Sequence, residues 1–135
     1  LHDLDFEKTS DDSSSHGKVT VEILENEDVP DDVLAAIMEH NAEALGISRT
    51  SRLGIALAAS ETITGLIVAT ALVMPGKKLD EVKPSSVVKR MKKKDFARNV
   101  NRDIICECEQ IGIPLAEFAE LSVSAMRGIS DELGL

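Results

Sequence analysis

Apolar residues recur three and four positions apart through most of this chain, a spacing that predicts helices. Residues Phe6 to Ser15 read as a polar loop rich in Ser and Asp. A first helix is expected from about His16 to Asn26, with Val19, Ile23 and Leu24 turned inward. A second runs from Pro30 to about Glu43: Pro30 suits a first turn, Asp31 and Asp32 complement the positive end of the helix dipole, and Val33, Leu34, Ile37 and Met38 form the stripe. Gly46 stops it.

The third helix, roughly Ser51 to Met74, is apolar on nearly every face, which makes it the expected central helix, ended by Pro75-Gly76. Shorter pieces follow at Leu79 to Val82 and Ser85 to Lys93, with a single turn at Asp95 to Arg98. Asn101 to Ile111 is a further helix ended by Gly112. The last begins at Pro114 and carries Leu115, Phe118, Ala119, Leu121, Ala125, Met126, Ile129 and Leu133 as the stripe that should clamp it to the central helix. Lys18 to Ile23 alternates weakly but is too short to demand a sheet. The expected class is all-α.

Composition sharpens that picture. With 135 residues and 43% apolar content, the chain suits one domain, expected over 1–135. It has no Trp or Tyr and only Phe6, Phe96 and Phe118 as aromatics, so aliphatic side chains and Met must build the core. Cys106 and Cys108 stand too close together to close a useful loop. They read as reduced thiols and point to a cytoplasmic protein. The segment Ser51 to Met74 is the one candidate membrane span, but it carries Arg52 and Glu61, so no membrane is expected.

The net charge of -9 argues against general nucleic-acid binding, which depends on phosphate neutralisation. Within that acidic whole, Lys89, Arg90, Lys92, Lys93, Lys94 and Arg98 form a basic segment. It reads as a solvated face, or as a surface for one anionic small molecule or a partner's acidic face.

Candidate chemistry gathers around the His2-Asp3 dipeptide. An imidazole and a carboxylate side by side can grip a divalent cation, and His16, His40 and Glu61 add further ligands of the same types. Glu61 stands among Ala58, Ala59, Ile63 and Leu66, and a carboxylate buried there must be paired, protonated or metal-bound. A mixed nitrogen and oxygen set suits one or two ions of Mn, Fe, Co, Ni, Zn or Mg. All five residues are expected to converge on one pocket.

These residues resemble the HD-domain metal-dependent phosphohydrolases, most closely the small stand-alone branch. The likeness is carried by Leu1-His2-Asp3-Leu4-Asp5, the His16-Gly17 pair, Ala36-Ile37-x-x-His40 and Glu61-x-x-Thr64-Gly65. It continues through Lys83-Pro84-Ser85-Ser86-Val87, Phe96-Ala97-Arg98, Val100-Asn101-Arg102 and the closing Asp131-Glu132-Leu133-Gly134-Leu135. The resemblance implies a helical array around a central buried helix. His2, Asp3 and Glu61 would contact a primary metal, with Asp3 able to bridge, and His16 and His40 would hold a second ion.

The implied reaction is hydrolysis of a phosphate ester or nucleotide, because a bound cation lowers the pKa of its water from 15.7 toward about 7. Asp5 or Lys8 would orient the nucleophile or neutralise phosphate. The family pattern also has a histidine-bearing helix before the His-Asp pair, and an Asp where this chain has Glu61. The chain is therefore expected to be incomplete at its N-terminus, with an apolar groove near Leu1 to Leu4 that upstream residues or a second copy would cover. The alternative reading is a catalytically impaired module that binds a ligand or partner.

Overall fold

Several helix boundaries in this chain fall where a proline enters, a side chain caps or a glycine turns the backbone. A computed structural model describes residues 1–135. Its regular elements are all helical: α1 (Phe6–Thr9), α2 (Lys18–Leu24), α3 (Asp31–His40), α4 (Ala42–Leu45), α5 (Arg52–Leu72), α6 (Pro84–Met91), α7 (Arg102–Cys106), α8 (Leu115–Arg127) and α9 (Ser130–Leu133). Two 3-10 turns, Leu79–Glu81 and Glu107–Ile111, complete the set. The all-α class expected from the apolar spacing is what the chain forms.

The chain divides into two compact units, Leu1–Ala58 and Ala59–Leu135, with the boundary inside α5. In the first, α2 packs on α3, and Leu24, Ala36, Ile37, Ala42, Ile55 and Ala58 are buried. Gly46 adopts a left-handed conformation at φ 66° and ends α4. At the start of α5 the Ser51 hydroxyl accepts the Gly54 amide at 2.9 Å, an N-cap bond.

The same helix end rests on Glu39 of α3. Its carboxylate accepts the amides of Thr50 and Ser51, each at 3.1 Å from Oε1, and the Ser51 hydroxyl. Burial alone would raise the Glu39 pKa, but the Ser51 hydroxyl, the two amides and the Thr50 hydroxyl outweigh it and hold the group below its usual value. A β-carbon on Gly54 would stand 2.0 Å from Glu39 Oε2, so only glycine lets this carboxylate reach the helix end.

In the second unit, Ala59, Ile63, Leu66, Ile67 and Ala71 of α5 share a core with Leu79, Val82, Val87, Ile105, Phe118, Ala119, Val123 and Met126. Helix α6 packs on α8. From the end of α8, Arg127 donates to the carbonyls of Leu79, Asp80 and Val82 at 3.3, 3.1 and 2.7 Å and clamps the 3-10 turn beside it. Arg102 does the same for residues 93–100. Its guanidinium donates to the carbonyls of Ala97 and Val100, both at 2.6 Å, and also to Phe96.

Several expectations are corrected. Part of the expected loop, Phe6 to Thr9, is helical. On α2 it is Thr20 that lies fully buried, while Ile23 is exposed, because the helix start is held by polar bonds to Thr20. The expected last helix breaks at Gly128 into α8 and α9, leaving Leu121, Ile129 and Leu133 exposed. The turn expected at residues 95–98 is present, within a longer run of turns. Helix α5 is long and apolar enough to cross a membrane, with mean hydropathy 1.7, and 44% of its most apolar window is buried.

Candidate metal centre

Three short polar stretches of the first unit meet at one point. Asp3 precedes α1, His16 precedes α2, and His40 ends α3. Their ligand atoms all lie within 4.8 Å of one another. The two imidazoles face each other through Nε2, 3.0 Å apart. Asp3 Oδ1 lies 3.3 Å from the Nε2 of His16 and 3.8 Å from that of His40.

The far side of each ring explains why they face this way. His16 Nδ1 sits 2.7 Å from Asp5 Oδ1, and His40 Nδ1 bonds the Ile37 carbonyl. A carbonyl and a carboxylate accept only, so each Nδ1 carries a proton, and in a neutral ring the Nε2 then offers a lone pair. Two lone pairs this close need a proton or a cation between them. Two nitrogens each about 2.1 Å from one ion, at angles between a right angle and the tetrahedral value, stand about 3.0 to 3.4 Å apart. The observed 3.0 Å fits.

Metal-bound histidines ordinarily donate their other ring proton to a carboxylate or backbone carbonyl, and both arrangements occur here. The donor set is also right, because two imidazoles and one carboxylate suit a borderline or hard divalent ion. Three protein ligands would leave coordination positions open on an ion held there. Asp3, 46% exposed, faces the open side, while the His40 side chain is almost wholly covered.

Neighbouring residues hold the rings in place. Gly17 stands at φ 90°, and a β-carbon there would sit 3.2 Å from the Ile37 carbonyl and 3.5 Å from the His40 ring, so a side chain would crowd the site. At the end of α3, Arg49 donates to the carbonyls of Glu39 and His40 at 2.8 and 3.2 Å and pairs with Glu43 at 2.8 Å. A basic side chain satisfying the last carbonyls of a helix fixes the residue that ends it.

Of the residues marked by the sequence, His2, Asp3, His16 and His40 are brought together. His2 Nε2 lies 3.1 Å from Asp3 Oδ2, and its ring stands 5.2 Å from that of His40, edge to face. Lys8 lines a cleft of about 520 Å³ together with Asp3, Leu4, Phe6 and Glu7.

Asp5 has a different place from the one expected. It is fully buried, with Oδ1 on His16 and Oδ2 accepting the amides of Gly17 and Thr20 at 2.8 and 3.0 Å. Burial would raise its pKa, but the Thr20 and Gly17 amides, His16 and the Thr20 hydroxyl together bring it below the usual carboxylate value. It orients a ring and caps α2, and no oxygen is left to orient a nucleophile.

Glu61 belongs to the second unit and is exposed on α5, where its carbonyl accepts the Thr64 hydroxyl at 2.6 Å. Sequence reasoning missed Arg49, Thr20 and the positioning role of Asp5. The one available signal was an acidic residue just before a short polar stretch that closes on a glycine.

No family model, curated protein or solved structure matches this chain.

Proposed function

We propose that Asp3, His16 and His40 hold a divalent cation and that the site hydrolyses phosphate esters, in keeping with the resemblance to HD-domain phosphohydrolases. The observation that carries this reading is the pair of Nε2 atoms facing each other at 3.0 Å, each with its Nδ1 proton committed to an acceptor. A bound cation would supply Lewis acidity, activating water and polarising phosphoryl oxygens.

The chain's own residues do the rest. Asp5 and the Ile37 carbonyl keep the protons on Nδ1, so both rings present the ligating nitrogen. Asp3 faces the open cleft, and Lys8 in the same cleft brings an ammonium toward phosphoryl charge. His2 stands against Asp3 and steadies its second oxygen.

Cobalt titration followed by visible absorption tests the centre, with hydrolysis of a small phosphate monoester read on the same samples. His16→Gln and His40→Gln should each abolish cobalt binding and hydrolysis. Unchanged cobalt binding in both variants would defeat the reading. Glu61→Gln, with Glu117→Gln as the control, reports on the fifth residue of the sequence-derived set: an unchanged cobalt titre leaves the three-residue cluster as the whole protein contribution.

A further inference from the structure

We infer that the apolar cavity beside His2 receives the non-phosphoryl end of the substrate, and that this end is an uncharged aryl or alkyl group. The inference rests on the metal-centre reading and deepens it by naming a substrate class.

The cavity holds about 260 Å³ and is lined by Leu1, His2, Val33, Ala36, Ile37, Leu53 and Leu57. Ala36 and Ile37 are almost wholly buried, at 1% and 2% exposure, and make a fixed floor, whereas Leu53 is 44% exposed and stands at the mouth. His2 is the one lining residue with a polar side chain.

Two of its lining residues, Ile37 and His2, also touch His40 of the candidate centre. The side chain of Ile37 lines the wall while its carbonyl holds the proton of His40 Nδ1. The ring of His2 lines it too, and stands edge to face against His40.

The adjacent residues His2 and Asp3 therefore look into two different environments. Asp3 opens on a cleft with Glu7 and Lys8, of which the Lys8 ammonium would meet a phosphoryl group, and His2 opens on apolar walls. A sugar hydroxyl or a second phosphate placed against those walls would give up its bonds to water with nothing in return. An aryl or alkyl group would give up none and would be drawn in by the hydrophobic effect.

Two esters that share a head group make the test: 1-naphthyl phosphate and methyl phosphate. Their binding can be followed by naphthyl fluorescence, directly and in competition, without interference because the chain has no Trp or Tyr. The naphthyl ester should bind at least tenfold more tightly. Leu53→Phe, which crowds the mouth, and Leu53→Gln, which makes it polar, should both erase that gap and leave methyl phosphate binding unchanged. Equal binding of the two esters, or a gap that survives both variants, would overturn the inference.

Sedimentation of the free protein covers another occupant. An association that grows with concentration and is abolished by Leu53→Gln would mean that a second copy fills the cavity, which also overturns the assignment. Cobalt absorption on the same samples separates the failures. A protein that takes no cobalt defeats the metal-centre reading and the cavity assignment with it. One that takes cobalt and shows no ester preference defeats the cavity assignment alone.

Discussion

His16 donates from Nδ1 to Oδ1 of Asp5 across 2.7 Å, and the other oxygen of that carboxylate accepts the amides of Gly17 and Thr20 at the start of α2. One buried side chain thus fixes both a candidate ligand ring and the helix that follows it. The two tasks can be separated by mutation, because one is read by metal affinity and the other by stability.

Asp5→Asn keeps the shape but removes the charge. Loss of an outer carboxylate partner typically lowers metal affinity about 10- to 100-fold. The weakened bonds to the Gly17 and Thr20 amides should cost about 1–3 kcal/mol of stability. Cobalt titration and urea unfolding read the two effects, and Asp28→Asn, at an exposed carboxylate, serves as the control. Wild-type cobalt affinity in Asp5→Asn would contradict the positioning role.

Glu39 ties stability to acid. Its pKa is lowered in the folded chain from the ordinary 4.5, so its contribution is complete above that value and is lost as pH falls through the lower folded one. Glu39→Gln should therefore be less stable than the parent at neutral pH, by about 1–3 kcal/mol for a buried charged acceptor. The gap should close as the pH drops below 4.5. Urea midpoints across that range are the measurement, and a gap independent of pH would rule the mechanism out.

Glycine to alanine in a helix interior normally stabilises by about 0.5–1 kcal/mol. Gly65→Ala on α5 should come close to that, since its nearest neighbour, Val100 Cγ2, lies 3.3 Å from the added carbon and can give slightly. Gly54→Ala should destabilise instead, by about 1–3 kcal/mol, because the new carbon displaces Glu39 from the helix end. The opposite signs are the diagnostic, and Gly54→Ala at or above wild-type stability would show that Glu39 adapts without loss.

The two cysteines should differ in their chemistry. Burial first, then the charges of Glu109 and Cys106, push the Cys108 thiol up to about 11, and its side chain is fully covered. Cys106 is exposed but is also raised, by partial burial and by Glu109 and Asp103. Iodoacetamide at neutral pH should label Cys106 more slowly than a free thiol and should reach Cys108 only on unfolding. Mass spectrometry of labelled peptides would show it, and early labelling of Cys108 would contradict the packing around it.

How far these features could be read in advance depended on what each residue needed from its surroundings. Gly46, Gly112 and the Pro at the start of α6 act locally, so their element ends were visible in the sequence. His2, Asp3, His16 and His40 were legible as a set because imidazoles and carboxylates are few and chemically marked. The outward face of Glu61 was not, because α5 is apolar nearly all round and its composition does not say which side is inside. Thr20 was hidden for the opposite reason: a polar residue is buried where a distant carboxylate makes burial possible, and the sequence carries no mark of that pairing.

Asp3, His16 and His40 come from three stretches that are distant along the chain, and this has a thermodynamic consequence. An ion shared among them would close two loops that the unfolded chain leaves open. Binding would then be linked to folding, adding about 2.7 kcal/mol when free ion stands at roughly a hundred times its dissociation constant. The melting temperature of the first unit would report the free concentration of the cation around it, so a chelator in the buffer would lower it without touching a single residue.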